Sequence, residues 1–429
     1  MKDLAIIYKL IPHKKKLKFL VLLILIFFSI FAELLGITLI IPTIASFVNQ
    51  SSESFYLLNQ KLFFFSVLSQ LNFKNLMLIF LSVFFFKTLF ITVVYYFSQS
   101  FIADVQKEIT NLIFIKNLQK DYANFISQNS SDKTRNIIEL TNSFIYQCLM
   151  PLVVLITEIG FVLLVCIFLF FIDPISLISV TFFILILLTL YFKIINKKLY
   201  SWGKVKQNFL SQRLKILREA IDGIILIKIN NLSNFFLKHF KYSSNISIDL
   251  TKRLLFLNNV IKVFLELFTI IILVGLIFML IDRGFSKIEI LSILSLYAVC
   301  AFKLLPSANR IAVNLQSLKF GSPVLPIIEK ELFENIKKKK ILDIEIKFEE
   351  YLKFKNVNFS YVKDINIFEN LNIDINKNDF VGIVGESGSG KSTFINLLCG
   401  LLIPDKGQIF IDDFDLSKAN LNLGNIIGY

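Results

Sequence analysis

Charge is scarce in this sequence. Only 18% of its 429 residues are Asp, Glu, Lys or Arg, against about 25% in soluble chains, which argues against a soluble multi-domain enzyme. Cysteine is sparse as well. Cys148, Cys166, Cys300 and Cys399 are too few for a disulfide scaffold. None has metal-ligand spacing, so all four read as reduced structural residues. A secretory leader is not expected, because Met1–Lys18 carries Lys and His and no small-residue cleavage site. What the sequence has in excess is apolar: 55% hydrophobic residues, 47 of them Phe, and a mean hydropathy of +0.67. That excess excludes intrinsic disorder.

The apolar residues fall into six stretches long enough to cross a bilayer at about 20 residues per crossing. They are Phe19–Phe47, Leu76–Phe101, Phe144–Ile172, Ile175–Ile195, Val260–Ile281 and Ile288–Leu305. The net charge of +14 is concentrated before residue 345, where 38 Lys and Arg face 20 acids. With both termini cytoplasmic, the inward segments carry 31 Lys and Arg and the outward loops only Lys61, Lys74, Arg283 and Lys287. This positive-inside bias orients the chain. It also accounts for the basic surplus without a nucleic-acid partner.

Ala5–Ile11 followed by His13–Lys18 reads as a short interfacial helix with lysines at the headgroups. Two inward segments, Asp104–Tyr122 and Lys197–Arg218, keep helical spacing and extend the spans beyond the membrane. They end at Asn129–Asp132 and at Asp222–Gly223 with Asn230–Asn231. An outer segment, Asn49–Lys74, has room for an amphipathic helix at Phe63–Leu71. Pro323 and Pro326 end the sixth helical segment, and Lys337–Lys340 reads as a solvated linker. From about Ile344 the texture changes to short alternating runs, Lys353–Phe359, Leu371–Ile375 and Gln408–Ile411, which read as strands. Phe380–Val384 reads as a buried strand and Lys391–Leu398 as a helix. The expected divisions are 1–18, 19–330, 331–344 and 345–429.

The residues Gly385, Glu386, Ser387, Gly388, Ser389, Gly390, Lys391 and Ser392 fit the phosphate-binding pattern G-x-x-x-x-G-K-[ST]. The glycines let the backbone N–H groups converge on phosphate oxygens, and the helix start adds partial positive charge. Lys391 is expected on the β- and γ-phosphates, Ser392 on Mg²⁺, and Thr393 as a further phosphate contact. ATP and Mg²⁺ are the implied cofactors. Tyr361, two dozen residues upstream, is placed either to stack on adenine or to pack at a strand end.

Six spans with long inward arms, followed by this loop, resemble an exporter-type ABC transporter half. The segment Pro404-Asp405-Lys406-Gly407-Gln408-Ile409 is similar to a turn of that family, with Asp413 following Asp412 where the family usually has Gly. The resemblance implies a six-helix membrane bundle joined to an α/β P-loop domain, a homodimer, ATP-driven transport and adenine stacking by Tyr361. It also implies a glutamine loop, a signature sequence, Walker B acids and a switch His, none of which the sequence reaches. The expectation is therefore a truncated ATP-binding domain that lacks catalytic residues and hydrolysis.

Charges inside the spans mark functional sites. They are Glu33, Lys87, Glu158, Lys262, Glu266, Lys303 and Arg310. Lys262 and Glu266 are four apart, as an intrahelical pair would be. Lys303, Ser307, Arg310 and Asn314 form a polar stripe suited to a substrate cavity. Basic residues there suit an anionic head group. Lys303-Leu-Leu-Pro-Ser-Ala-Asn-Arg310-Ile311, with Lys87 and Lys262, is similar to bacterial lipid-linked oligosaccharide flippases, although that family tends to have Arg at the three Lys positions. The resemblance implies a polyprenyl-pyrophosphate glycan as cargo, Lys87, Lys262, Lys303, Ser307 and Arg310 as cavity residues, and residence in the bacterial inner membrane. A drug, peptide or other lipid exporter of the same fold, and a non-hydrolysing nucleotide binder, are the alternatives.

Overall fold

The computed structural model describes residues 2–47, 73–126, 130–172, 174–284, 287–334, 341–342, 347–362, 365–416, 420–421, 423 and 426–428. The expected helix at Phe63–Leu71 and the Lys337–Lys340 linker lie outside them. The chain divides into two compact units. One comprises Met1–Ile113 and Thr134–Leu332, the other Phe114–Lys133 and Phe333–Tyr429.

The helices of the first unit are α1 (Lys2–Leu10), α2 (His13–Phe47), α3 (Phe73–Leu118), then, after α4 (Tyr122–Ile126), α5 (Ser130–Ile137), α6 (Glu139–Phe144), α7 (Met150–Ile172), α8 (Pro174–Asp222), α9 (Ile224–Ile229), α10 (Ser233–Asp282), α11 (Lys287–Gly321) and α12 (Leu325–Phe333). The end of α3 and all of α4 belong to the second unit. A π-turn at Ile145–Leu149 joins α6 to α7. Among the described residues, five helical segments are long and apolar enough to cross a membrane, as in a multi-pass membrane protein. The remaining expected span, Ile175–Ile195, falls on α8.

Length leaves room for arms beyond the apolar segments. The helices α3, α8 and α10 run 46, 49 and 50 residues, or roughly 70 Å at 1.5 Å per residue. A hydrocarbon core takes up only about 30 Å of that. No residue interrupts α8 at Gly203, because the absent side chain is needed for contact. A Cβ there would lie 1.9 Å from the Phe320 carbonyl oxygen.

The packing of the arms follows from spacing. Phe101, Val105, Ile109 and Ile113 stand four apart on one face of α3 and are fully buried. They join Leu22 and Ile26 of α2, Leu149 and Val165, and Ile328 of α12 in one core. The first helix joins that core through Ile7, Leu10 and Ile11, and Lys9 pairs with Glu329 at 2.7 Å. Elsewhere apolar residues are exposed: Phe86 and Tyr96 are 68% and 78% exposed. Apolar surface of that extent marks a lipid or partner contact rather than a wetted face.

The second unit holds an antiparallel sheet of β2 (Tyr351–Val362), β3 (Ile365–Asn376), β4 (Lys406–Ile411) and β5 (Phe414–Asp415), in the order β3-β2-β4-β5. Two short strands, β1 (Ile341–Leu342) and β6 (Asn420–Leu421), pair in parallel. The strands run longer than their alternation suggested. The reason is a bulge in β2, where the register shifts between Phe354 and Val357 and Asn356 takes a φ of +49°. One extra residue restores the buried face, so Leu352, Phe354, Val357 and Phe359 all point into the core. The helix α13 (Lys391–Leu398) covers that face, with the rings of Phe354 and Phe394 stacked at 4.8 Å. Tyr122 of α4 packs against the same core.

A side chain ties the start of β2 to the end of β4, its neighbour in the sheet. Asp412 accepts hydrogen bonds from the backbone N–H of Glu349, Glu350 and Tyr351 at 2.8–2.9 Å. Burial pushes its carboxyl up, but the three donors outweigh that and hold it below the usual carboxylate range.

One expected element is corrected. Phe380–Val384 is not a strand. No strand pairs with it among the described residues, so nothing satisfies its ladder groups or covers its side chains. Phe380 and Val384 are 102% and 96% exposed. Apolar content alone does not make a buried parallel strand, which needs a paired neighbour and cover on both faces.

Candidate functional site

The phosphate-type loop of the second unit follows the exposed segment and leads into α13. Gly388 and Gly390 adopt φ of +89° and +93°, a region that a side chain disfavours. Crowding adds to this at Gly390, where a Cβ would stand 2.7 Å from Ile367. Gly390 is the N-cap of α13 and no side chain caps the helix, so its first N–H groups are left for an incoming acceptor. An anion fits such a terminus. Lys391 folds over the loop and donates from Nζ to the carbonyls of Gly385 at 2.7 Å and Glu386 at 2.6 Å. Glu386, Ser387, Ser389 and Ser392 lie at the loop surface, while Thr393 is buried.

Tyr361 lies close by. Thr393 donates from Oγ1 to the Tyr361 hydroxyl at 3.5 Å, and the Tyr361 ring stands edge-on to Phe359 at 5.0 Å. Asp405 anchors this strand end by accepting from the Ser360 backbone N–H and hydroxyl at 2.8 and 2.9 Å. With its ring 45% exposed, Tyr361 keeps a free face for stacking.

The first unit holds a cavity of about 590 Å³. Its walls are largely apolar, from Ile26 and Ile30 of α2, Val94 and Ile102 of α3 and Val153 and Phe161 of α7. Lys303, Ser307 and Arg310 of α11 line it together with Glu33 and Glu158. The spacing of i, i+4 and i+7 puts those α11 residues on one face. Asn314, the fourth member of the stripe, instead donates to the Arg310 carbonyl at 2.7 Å.

The cavity bases are paired. Arg310 grips Glu158 with two hydrogen bonds, Nε to Oε1 at 2.5 Å and Nη2 to Oε2 at 3.1 Å, and Nη2 also reaches Ser307 Oγ at 3.3 Å. Glu33 accepts Lys87 at 2.9 Å and Lys303 at 3.3 Å. Lys87 is buried behind Glu33 rather than on the cavity wall. Lys262 is exposed on α10, away from the cavity, and makes no ion pair with Glu266 among the described residues. Periodicity located the bases but not their partners, because each partner comes from another helix. The signal that could have found them was the rarity of Glu33 and Glu158, carboxylates in otherwise apolar spans.

Residues 368–427 match the family described as ABC transporter. The structure aligns with that of a bacterial Atm1-family ABC exporter with ATP bound, at a TM-score of 0.68 and 14% sequence identity, over 95% of this chain and 68% of that one. The fold is that of an ABC exporter. Closer sequence similarity to curated relatives extends over short segments. The alpha-hemolysin translocation ATP-binding protein HlyB of Escherichia coli O157:H7 is 54% identical over 70 residues, 16% of this chain and 10% of that protein. The leukotoxin translocation ATP-binding protein LktB of Mannheimia haemolytica is 47% identical over 73 residues, 17% of this chain and 10% of that protein. The match thus spans about a tenth of the length of these curated relatives.

Proposed function

We propose that the chain is one half of an ATP-driven ABC exporter that moves an anionic, lipid-linked oligosaccharide out of the inner leaflet of a bacterial inner membrane. It works as a homodimer with both termini cytoplasmic, residues 19–330 forming the membrane domain and residues 345–429 contributing to the ATP-binding domain. The observation that carries the reading is the gathering of Lys303, Ser307 and Arg310 in one cavity with apolar walls. Such a cavity offers donors to a phosphate group and apolar surface to a polyprenyl chain.

In the loop, ATP with Mg²⁺ supplies the free energy for transport. Lys391 exchanges the Gly385 and Glu386 carbonyls for phosphate oxygens. The N–H groups from Gly388 to Ser392 receive the remaining phosphate charge, Ser392 ligates Mg²⁺, and Tyr361 stacks on the base. The family match supports the motor rather than the cargo, since residues 368–427 lie outside the cavity-lining residues.

Transport in proteoliposomes tests the reading, with a fluorescent polyprenyl-diphosphate oligosaccharide as cargo and the full-length protein. Lys303→Gln leaves Glu33 still paired with Lys87 and removes one cavity cation. Flipping is expected to fall about tenfold, on the scale of one charge-assisted contact. Unchanged flipping would discard the anionic cargo. A peptide cargo is the second reading, favoured by Glu33 and Glu158, which offset Lys303 and Arg310 on the cavity wall, and stimulation of ATPase activity by peptides but not by the glycan lipid would establish it.

A further inference from the structure

We propose that Glu158 is a positioning residue for substrate recognition: it holds the Nε–Nη2 edge of the Arg310 guanidinium and so presets Nη1 as a donor for an anion. The proposal rests on the anionic-cargo reading above. Arg310 has five N–H donors in a rigid plane. In the structure Glu158 takes Nε and Nη2, and Ser307 takes a further contact from Nη2. That leaves the Nη1 edge without any of these acceptors.

Burial distinguishes the two partners. The Glu158 side chain is only 9% exposed, whereas Arg310 is 50% exposed. Both line the cavity, and the guanidinium is the more open of the two. The opposite reading treats Glu158 as a place-holder that the cargo phosphate displaces. Displacement would strand a carboxylate among Val154, Phe161 and the other apolar lining residues, and an unpaired buried charge costs several kcal/mol. A cargo that adds to the free edge avoids that cost.

The second carboxylate follows the same pattern. Glu33 is shared by buried Lys87 and by Lys303, whose side chain is 34% exposed. Lys303 and Arg310 are seven residues apart on α11, about 10.5 Å of helical rise. Each is thus a cation restrained by an acidic partner from another helix, α2 for Lys303 and α7 for Arg310. The two restrained donors present charge at separate heights of one cavity wall, which suits an extended diphosphate better than a single carboxylate.

Binding to the chain in lipid nanodiscs tests this, with farnesyl diphosphate as the anionic probe and farnesol as the neutral one. Glu158→Ala is expected to weaken farnesyl diphosphate at least tenfold and to leave farnesol within twofold. Glu158→Gln, which keeps one acceptor oxygen, is expected to recover part of the loss. The Glu158→Gln/Arg310→Gln double variant removes both charges without stranding either, and it should bind the diphosphate no worse than Arg310→Gln alone, since Glu158 acts through Arg310. Tighter diphosphate binding by Glu158→Ala would overturn the proposal in favour of a displaceable place-holder. Equal losses for both probes would overturn it in favour of simple packing. If wild type and the double variant bind the diphosphate alike, the anionic-cargo reading fails and takes the proposal with it. A loss in Arg310→Gln without one in the Glu158 variants removes the positioning role alone.

Discussion

Lys391 and Gly203 show how much a single residue carries in this chain. Lys391 is the ammonium that bridges the Gly385 and Glu386 carbonyls. Lys391→Ala is expected to weaken ATP binding at least tenfold, measured by nucleotide titration, while the far-ultraviolet spectrum stays unchanged because the side chain supports no core contact. Gly203 is a steric requirement instead. Gly203→Ala brings a Cβ to 1.9 Å from the Phe320 carbonyl, where backbone cannot yield cheaply. Forcing α8 and α11 apart costs about 1–3 kcal/mol by the usual penalty for overpacking, read as a lower melting temperature in detergent. The lysine was evident in the sequence because its motif is local. The role of the glycine was not legible there, because the partner that requires it lies 117 residues further on.

Within elements, polar side chains decide how strands and helices meet. Asp412 fastens the end of β4 to the residues that start β2 through three backbone donors. Replacing it by Ala is expected to destabilise the sheet by about 1–2 kcal/mol, as the loss of a backbone-capping side chain does. The same contact fixes a pH dependence. The folded carboxyl lies below its ordinary value, so its stabilisation is complete above the unfolded value of about 4 and is lost as the pH falls through the lower folded value. In Asp412→Asn that acid-side loss should shrink, which unfolding titrations between neutral and acid pH would show. In the membrane-type unit the Arg310–Glu158 pair joins α11 to α7. Arg310→Ala strands Glu158 and is expected to cost about 3–5 kcal/mol, the range for breaking one side of a buried pair. Removing both partners should recover much of that, a difference measurable in a double-mutant cycle of thermal midpoints.

At the scale of the whole molecule, topology and exposure give the remaining tests. The charge asymmetry predicts that Lys228, between two inward breaks, and Arg283, in a short outward turn, lie on opposite sides of the membrane. With the four native cysteines replaced, Arg283→Cys in intact cells should react with an impermeant thiol reagent and Lys228→Cys should not. The reverse labelling would invert the topology. In the second unit, amides of Val381–Val384 should exchange with solvent far faster than those of Leu352–Phe354, because only the latter carry ladder hydrogen bonds.

Much of this molecule was legible in one dimension because the deciding forces are local or additive. Hydropathy summed over 20 residues locates the long apolar helices, and a glycine-rich loop marks the start of α13. Proximity between distant residues is not additive along the chain. Only the tertiary structure placed Glu33 beside Lys87 and Lys303, paired Glu158 with Arg310, moved Lys262 out of the cavity and left Phe380–Val384 unpaired. In each case the deciding term is the cost of a buried charge or an unsatisfied backbone group, and that cost depends on which other helix or strand stands next to it.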